Sequence, residues 1–482
     1  MNRFPSSRLA PLVVVAVSVL SPLLFASPGK DPSSGLVVHE WGTFTVLQDE
    51  QGKPIGGINT DDEPLPDFVH NLNWAVNGPS SPLPPVYFKG VPRNHPDVLT
   101  RLETPVIYFY PPGGREMTVD VEVKFPAGWL TQYYPNAEVT ADGHKGEQFK
   151  VGPLTYKSAG TLSWRGLKIG GTQDGPATDV PAWLAPRRVP GAASVRTTAN
   201  EAERYLFYRG VGRMDAPLSV VRTADGTQLQ VHSQVGNSIQ LRPGMKMGPL
   251  WLVDARGDGT SAYRTIESMD LSQGPDKGLA TTAASFAESE YRAENLGALR
   301  KALLAALTHD GLFADEAEGL LNTWEASYFR RPGLRMFFMV PRAWTDRHLP
   351  LHVSEPAHIE RVMVGRIELV TPGHRGLLRR IAAGPASHPN WVLEAREQLG
   401  PNEQDRYYRE DWYLHADANP TAAKLLKSMP EDYRAYLQLG RFRNALLLDE
   451  AKRRPTPELA AFIERYELDA HRFDQGGRAA AE

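Results

Sequence analysis

The sequence of 482 residues contains no cysteine and carries a formal net charge of −3. Without cysteine the chain forms neither disulfides nor thiolate metal sites, so any metal would be held by His, Asp and Glu. The balanced charge gives no sign of the basic surface that binds nucleic acid, so we predict no nucleic-acid partner.

The N-terminal residues are typical of a secretory signal peptide. Arg3 and Arg8 precede an apolar run at 12–25, and small residues follow it. The run is shorter than the roughly 20 residues needed to span a bilayer, although an uncleaved membrane anchor is the alternative. We therefore predict a signal peptide at 1–26, a secreted or periplasmic protein, and no transmembrane span after signal removal.

The segment 27–287 has the alternation of apolar and polar residues that is typical of β-strands. Runs such as "MTVDVEVKF" and "RYLFYRGVG" are separated by Gly, Asp and Pro. The sequences at 224–226 and 257–259 are hairpin signals between strand-like flanks. Many short strands without intervening helices predict an antiparallel, β-sandwich-like N-terminal domain.

The periodicity changes to that of helices near residue 288. Leu296, Leu299, Leu303 and Leu307 lie on one face of a helix, and a second helix follows. The runs "LRMFFMV" and "IERVMVGRIELV" then predict two returning strands. The segment 288–371 is therefore predicted as a mixed section, a helical hairpin followed by strands.

The segment 372–474 is predicted to be a helical domain. Thr371 is placed to cap a helix that begins with a proline, and similar helix starts recur near 428 and 456. We expect this domain to pack against the β-rich part through residues such as Leu446 and Phe462, with a frayed tail at 475–482. The fold class is thus α+β.

The run "VVHEWGTFTVL" contains the first candidate site residues. It lacks the second histidine of the His-Glu-x-x-His zinc motif, and its residues favour a strand. Because strand side chains alternate, His39 and Glu40 point to opposite faces. Glu40 then shares its face with Val38 and Phe44, where an uncompensated charge would be costly, so we predict that it is buried and bonded to Arg209 or His70.

Two further charged residues occur within apolar strand patterns, Glu103 and Arg209. One interpretation is a Glu–Arg pair that closes the core. The other is that Glu40 and Glu103 are paired carboxylates for acid–base chemistry, with Arg209 beside them. The catalytic candidates are therefore Glu40, Glu103 and Arg209.

A metal site is a separate hypothesis. If 66–70 forms a helical turn, Asp67 and His70 lie one turn apart, and His39 could complete the ligand set for a divalent metal. The alternative is that Asp67 caps a helix and the neighbouring acids form a solvated loop.

The functional hypothesis is an extracytoplasmic hydrolase with an acidic, metal-assisted site, since long loops surround isolated acids. No nucleophile elbow, phosphate-binding loop or dinucleotide motif is present in the sequence. The alternative is a non-catalytic surface or carbohydrate-binding protein. In that case Trp129, Tyr133 and Tyr134 would form a platform for a saccharide or another cell-envelope ligand; the alternative for these residues, and the more frequent one, is packing at a sandwich edge.

The motifs "HEWGTFT", "LETPVIYFY", "LFYRGVG", "PGLRMFFMVPRAWTD" and "RVMVGRIEL" together resemble a group of secreted bacterial proteins that share the N-terminal motif. The resemblance covers most of the mature chain. It implies export and a shared architecture, and it assigns no activity and no catalytic residue.

Overall fold

The computed structural model of the chain describes residues 35–60, 65–72, 87–88, 91–92, 94–144, 152–271, 280–384, 420–466 and 468. The predicted signal peptide and the predicted frayed tail lie outside the described residues. Within them, no helix is both long and apolar enough to cross a membrane. The chain is an α+β protein, as predicted.

The described strands are β1 Leu36–Gln48, β2 His70–Asn71, β3 Tyr87–Phe88, β4 Val91–Pro92, β5 Thr100–Leu102, β6 Val106–Tyr110, β7 Met117–Pro126, β8 Gly128–Tyr134, β9 Glu138–Asp142, β10 Ala159–Ile169, β11 Val195–Arg196, β12 Ala202–Glu203, β13 Leu206–Gly212, β14 Leu218–Arg222, β15 Gln228–Ser233, β16 Lys246–Met247, β17 Leu250–Ala255, β18 Ser261–Ile266, β19 Met269–Asp270, β20 Ala280–Ala283, β21 Gly333–Met339, β22 Leu351–Val353 and β23 Ala357–Leu369. The described α-helices are α1 Pro181–Arg187, α2 Asn295–His309, α3 Ala314–Thr323, α4 Arg342–His348, α5 Pro372–Ala383, α6 Pro420–Ser428, α7 Glu431–Gln438, α8 Arg443–Arg453 and α9 Pro457–Arg465.

The largest sheet in the described part of the chain has ten strands, with β1 near its centre. Its order is β18-β17-β21-β23-β1-β5-β13-β8-β2, and β6 pairs with β1 and β13. Within 27–287 the described strand pairs are antiparallel, as predicted, whereas β1 runs parallel to β23 of the following section along its whole length. The physical reason is burial: β1 is covered on both faces, which is the environment of a parallel pair.

Residues on one face of this sheet and residues of the second sheet belong to one hydrophobic core. Val38 and Phe44 of β1 belong to the same hydrophobic cluster as Val121 of β7 and Trp164 of β10. The second sheet has the order β12-β11-β10-β7-β22, with β9 on β10. The predicted hairpins at 224–226 and 257–259 are confirmed, because they join β14 to β15 and β17 to β18.

The opposite face of the large sheet is covered by α2 and α3. Leu299 and Leu303 of α2 pack in one core with Trp41 of β1 and Phe337 of β21. The predicted helical hairpin and the two returning strands are therefore confirmed, and the strands belong to the same sheet as β1.

The C-terminal helices form a third core with the β-rich part. Leu446 and Phe462 share a hydrophobic cluster with Leu47 of β1 and Val211 of β13, which confirms the predicted packing. Thr371 caps α5 by accepting a hydrogen bond from the backbone N–H of His374, also as predicted.

Candidate functional site

The carboxylate of Glu40 is buried in the core beneath the large sheet and is 1% exposed. The Tyr208 hydroxyl donates to Oε1 at 2.6 Å, and Arg361 Nε donates to Oε2 at 2.5 Å. Arg361 also donates from Nη1 to Asp346 at 3.0 Å. Burial would lower the pKa of Arg361, but the combined effects of Glu40, Tyr208 and Asp346 outweigh burial and raise that pKa. Glu40 and Arg361 therefore form a buried ion pair in which the two charges compensate each other.

The predicted burial and hydrogen bonding of Glu40 are therefore confirmed, but the predicted partners, Arg209 and His70, are wrong. Arg361 takes that place because Glu40 and Arg361 are register neighbours in the parallel pair of β1 and β23. Register neighbours on two paired strands project to the same face of the sheet, so the Arg361 guanidinium reaches the Glu40 carboxylate directly.

Glu103 and Arg209 lie in a second buried cluster. Arg209 Nε donates to the backbone carbonyl of Glu103 at 2.6 Å. The Glu103 carboxylate is fully buried and forms ion pairs with Arg101 at 3.4 Å and Arg441 at 3.3 Å. The structure thus brings Glu103 and Arg209 together but gives Glu40 other partners. These contacts support the interpretation in which the charges close the core.

His39 is held by a carboxylate on the opposite face of β1. Its Nδ1 lies 2.8 Å from Oε2 of Glu316, a residue at the start of α3. The same carboxylate accepts from the Tyr110 hydroxyl at 2.6 Å and from the backbone N–H of Phe313 at 2.7 Å. His39 is therefore oriented by a buried glutamate.

The three predicted metal ligands do not meet. His70 Nε2 bonds to Glu201 at 2.9 Å, away from the Glu316 contact of His39. Asp67 lies in a turn, and His70 begins β2, so the helical turn predicted for this segment is wrong. Among the described residues, no group of three or more His, Asp or Glu side chains could hold a metal ion.

The aromatic residues predicted as a saccharide platform are buried. Trp129, Tyr133 and Tyr134 are 0%, 3% and 2% exposed. They cannot stack on a ligand from solvent in this conformation, so the platform prediction is wrong for these residues.

A polar cavity lies at the edge of the large sheet, beyond the end of β21. We call it the slot; its volume is about 280 Å³. The slot is lined by Lys246, Met247, Gly248, Asp310, Met339, Val340, Pro341, Arg342, Glu360, Arg361 and Val362. None of the six site residues predicted from the sequence lines the slot. Glu40 is connected to the slot through its hydrogen bond with Arg361, which is a lining residue.

Among the titratable groups that line the slot, Asp310 occupies a position that does not favour the stability of the fold. It is the C-cap of α2, where a negative charge meets the negative end of the helix dipole. Its side chain has no hydrogen bond or ion pair with any described residue. Asp310 is exposed to solvent, but partial desolvation by the surrounding protein raises the pKa of its carboxyl, and the neighbouring His309 offsets part of this effect.

Glu360 is a second carboxylate in the slot, next to the loop that carries Asp310. A Cβ atom placed on Gly311 would lie 3.3 Å from Glu360 Oε2. Gly311 has a φ of +112°, which only glycine adopts readily, so this close approach depends on the absence of a side chain. Glu360 also contacts His358 at 2.9 Å and Arg342 at 3.8 Å.

The sequence contains one signal for this site. The helix α2 ends in "THDGL", where His309 suits the helix C-terminus but is followed at the C-cap by an aspartate, whose negative charge does not. The presence of Asp310 and Glu360 in one cavity could not be predicted, because it depends on where β23 lies relative to α2.

No model of a protein family matches this sequence, and no curated protein matches it. Among solved structures, the chain is similar to the Mu homology domain of Fcho1 from Danio rerio, solved with a bound Eps15 peptide. The identity is 8%, the match covers 71% of this chain and 99% of that chain, and the TM-score is 0.26. A likeness this low supports no inference about fold or function.

Proposed function

We propose that the protein is a hydrolase that uses the slot for general acid–base catalysis. The observation that carries the proposal is the presence of two carboxyl groups, Asp310 and Glu360, in the lining of one cavity, with no partner for Asp310 among the described residues. A negative charge at a helix C-terminus reduces stability, and residues held at a cost to stability are typical of functional sites.

The two carboxyl groups of the slot then have different roles. In its protonated form, Asp310 donates its proton to the leaving group as the scissile bond breaks. Glu360, which contacts His358 and Arg342, accepts a proton from the attacking water. The water oxygen forms the new bond, so one water is consumed and the proton balance closes.

The proposal is tested with chromogenic nitrophenyl esters, anilides, glycosides and phosphates over pH 4–9. We expect turnover of one class that falls as pH rises through the raised pKa of Asp310. D310N and E360Q should each lower kcat/KM by about 100-fold or more. The matched control is D258N, which changes an exposed hairpin aspartate outside the slot and should retain activity. Unchanged turnover in D310N would refute the assignment.

The alternative function, a non-catalytic surface or carbohydrate-binding protein, makes the opposite prediction in the same assay. A purely binding slot would take up a ligand without hydrolysing any substrate class. In that case D310N would alter affinity and no turnover would be found, which would favour the binding function over the hydrolase.

Export and architecture are further proposals. We infer that the signal peptide 1–26 is removed and that the mature protein is secreted or periplasmic, in line with the resemblance to secreted proteins with the HEWGTFT motif. Intact-mass measurement of exported protein would contradict this if residue 1 were retained. The sandwich-like arrangement of the N-terminal sheets and the division at 287 and 371 are likewise proposals, supported by the core that the two sheets share.

A further inference from the structure

The slot occupies the place of a missing strand segment. The strand β21 pairs with β23 only from Arg335 to Met339, opposite Val364 to Glu368. The first half of β23, from Ala357 onward, is paired with β1 on one side. On its other side, the described chain turns away at Pro341 into α4, and the slot begins there.

The backbone groups of Arg361 point into this slot. The carbonyl of Thr43 accepts from Glu103 on the β5 side of β1, so the even-numbered residues of β1 bond to β23. The backbone N–H and C=O groups of the odd-numbered residues of β23 must then point away from β1. Two contacts agree: Ile359 O accepts from the Arg342 side chain, and Met363 O accepts from the backbone of Val340. Arg361 lies midway between them.

The lining of the slot supports the same orientation. It includes the three consecutive residues Glu360, Arg361 and Val362. Successive strand side chains point to opposite faces, so a cavity touches three in a row when it meets the strand from its backbone edge. The opposite wall, Lys246 to Gly248, comes from the segment that precedes β17.

We propose that the slot binds an extended peptide, which continues the sheet as a short strand along β23. The N–H and C=O of Arg361 would pair with the C=O and N–H of one central peptide residue, as in strand addition at a sheet edge. The three strand residues that line the slot span about 10 Å, which fits a segment of about three residues. This inference rests on the proposed function and names its substrate class, an amide-linked chain.

The side chains of the slot suit the same ligand. Asp310 and Glu360 lie beside the edge at which a bound amide would be held, in position to act on it. Lys246 is exposed, and its ammonium has no partner among the described residues, so it is available to an acidic group on the peptide. The guanidinium of Arg361 is engaged by Glu40 and Asp346, so its backbone is the part that recognises the ligand.

The experiment measures amide hydrogen exchange of residues 357–363 in the D310N protein, which cannot consume the probe. The probe is acetyl-Ala-Ala-Ala-amide at millimolar concentration. We expect exchange at Arg361 to slow several-fold. An analogue with ester oxygens in place of the amide N–H groups should bind about 5-fold more weakly, since one hydrogen bond contributes about 1 kcal/mol. Equal binding of the ester analogue, or no slowing at Arg361, overturns the proposal.

This readout separates the two proposals. If the probe protects Arg361 but no chromogenic substrate is hydrolysed by the unaltered protein, peptide binding stands and the hydrolase fails. If a non-amide substrate is hydrolysed through Asp310 while Arg361 stays unprotected, the hydrolase stands and peptide binding fails. The control is exchange at 250–255 in β17, which is paired on both sides and should not respond.

Discussion

Substitution of Glu40 by glutamine tests whether the ion pair on β1 supports the fold. Glu40 and Arg361 have side chains 1% and 2% exposed, so solvent cannot replace a lost partner. Glutamine keeps one acceptor oxygen for either Tyr208 or Arg361 but presents an N–H₂ group to the other donor. Arg361 then retains Asp346, whose side chain is 47% exposed. We expect the free energy of unfolding to fall by about 3–5 kcal/mol, the usual effect of breaking a buried pair.

The measurement is urea unfolding followed by far-UV circular dichroism at pH 7. The matched control is Glu288→Gln, which also removes a carboxylate bonded twice to an arginine, Arg256. The Glu288 side chain is 83% exposed, so solvent and salt screen its pair and we expect no measurable change in stability.

A double substitution distinguishes charge compensation from packing. Replacing Glu40 by glutamine and Arg361 by methionine removes both charges and leaves most of the volume. We expect this protein to regain most of the stability lost in the Glu40→Gln protein, because no uncompensated cation remains. A Glu40→Gln protein that unfolds within 1 kcal/mol of the unaltered one would refute the reasoning.

Asp310→Asn should raise the free energy of unfolding at pH 7 by about 0.3–1 kcal/mol, because the ionised carboxylate opposes the helix dipole; the gain should shrink as pH falls and the native aspartate becomes protonated. Burial lowers the pKa of His348 to about 4, so it contributes stability above pH 6.5 that is lost as pH falls towards 4, and His348→Phe should reduce this loss by up to about 3 kcal/mol in urea titrations. Thr371→Ala should cost about 1 kcal/mol through loss of the cap of α5, seen in the same titration. Phe462→Ala should cost about 3–5 kcal/mol and make 420–466 more sensitive to protease than the unaltered protein.

The burial of Glu40 could be predicted because strand alternation is a local property. Its partner could not, since Arg361 follows it by more than three hundred residues and reaches it through a parallel pairing. The same limit explains why the parallel pairing of β1 with β23 was not predicted. When two buried strands are both continuous apolar runs, their sequences do not indicate whether they pair in parallel or antiparallel.

The site residues show the limit of charge patterns. Glu40, Glu103 and Arg209 were conspicuous because they interrupt apolar strands, and the structure gives each of them a buried partner. The slot residues Asp310 and Glu360 were inconspicuous because one ends a helix and the other lies among polar residues. The sequence pattern therefore identified charged residues whose charges are compensated in the core. It missed Asp310, which has no partner among the described residues.

The position of β23 beside β1 leads to a last prediction, about a chain that ends at residue 287. Such a chain keeps β1 but loses β21 and β23, and with them Met336, Phe338, Met363 and Ile367, all at most 1% exposed. Burial of each contributes about 1.5–3 kcal/mol, or about 6–12 kcal/mol together, which matches the whole stability of a typical protein. We expect residues 35–287 to lack near-UV circular dichroism and cooperative unfolding, whereas residues 35–474 should keep both. A stable, cooperatively unfolding 35–287 fragment would show that the β-rich section folds without the strands that return to it.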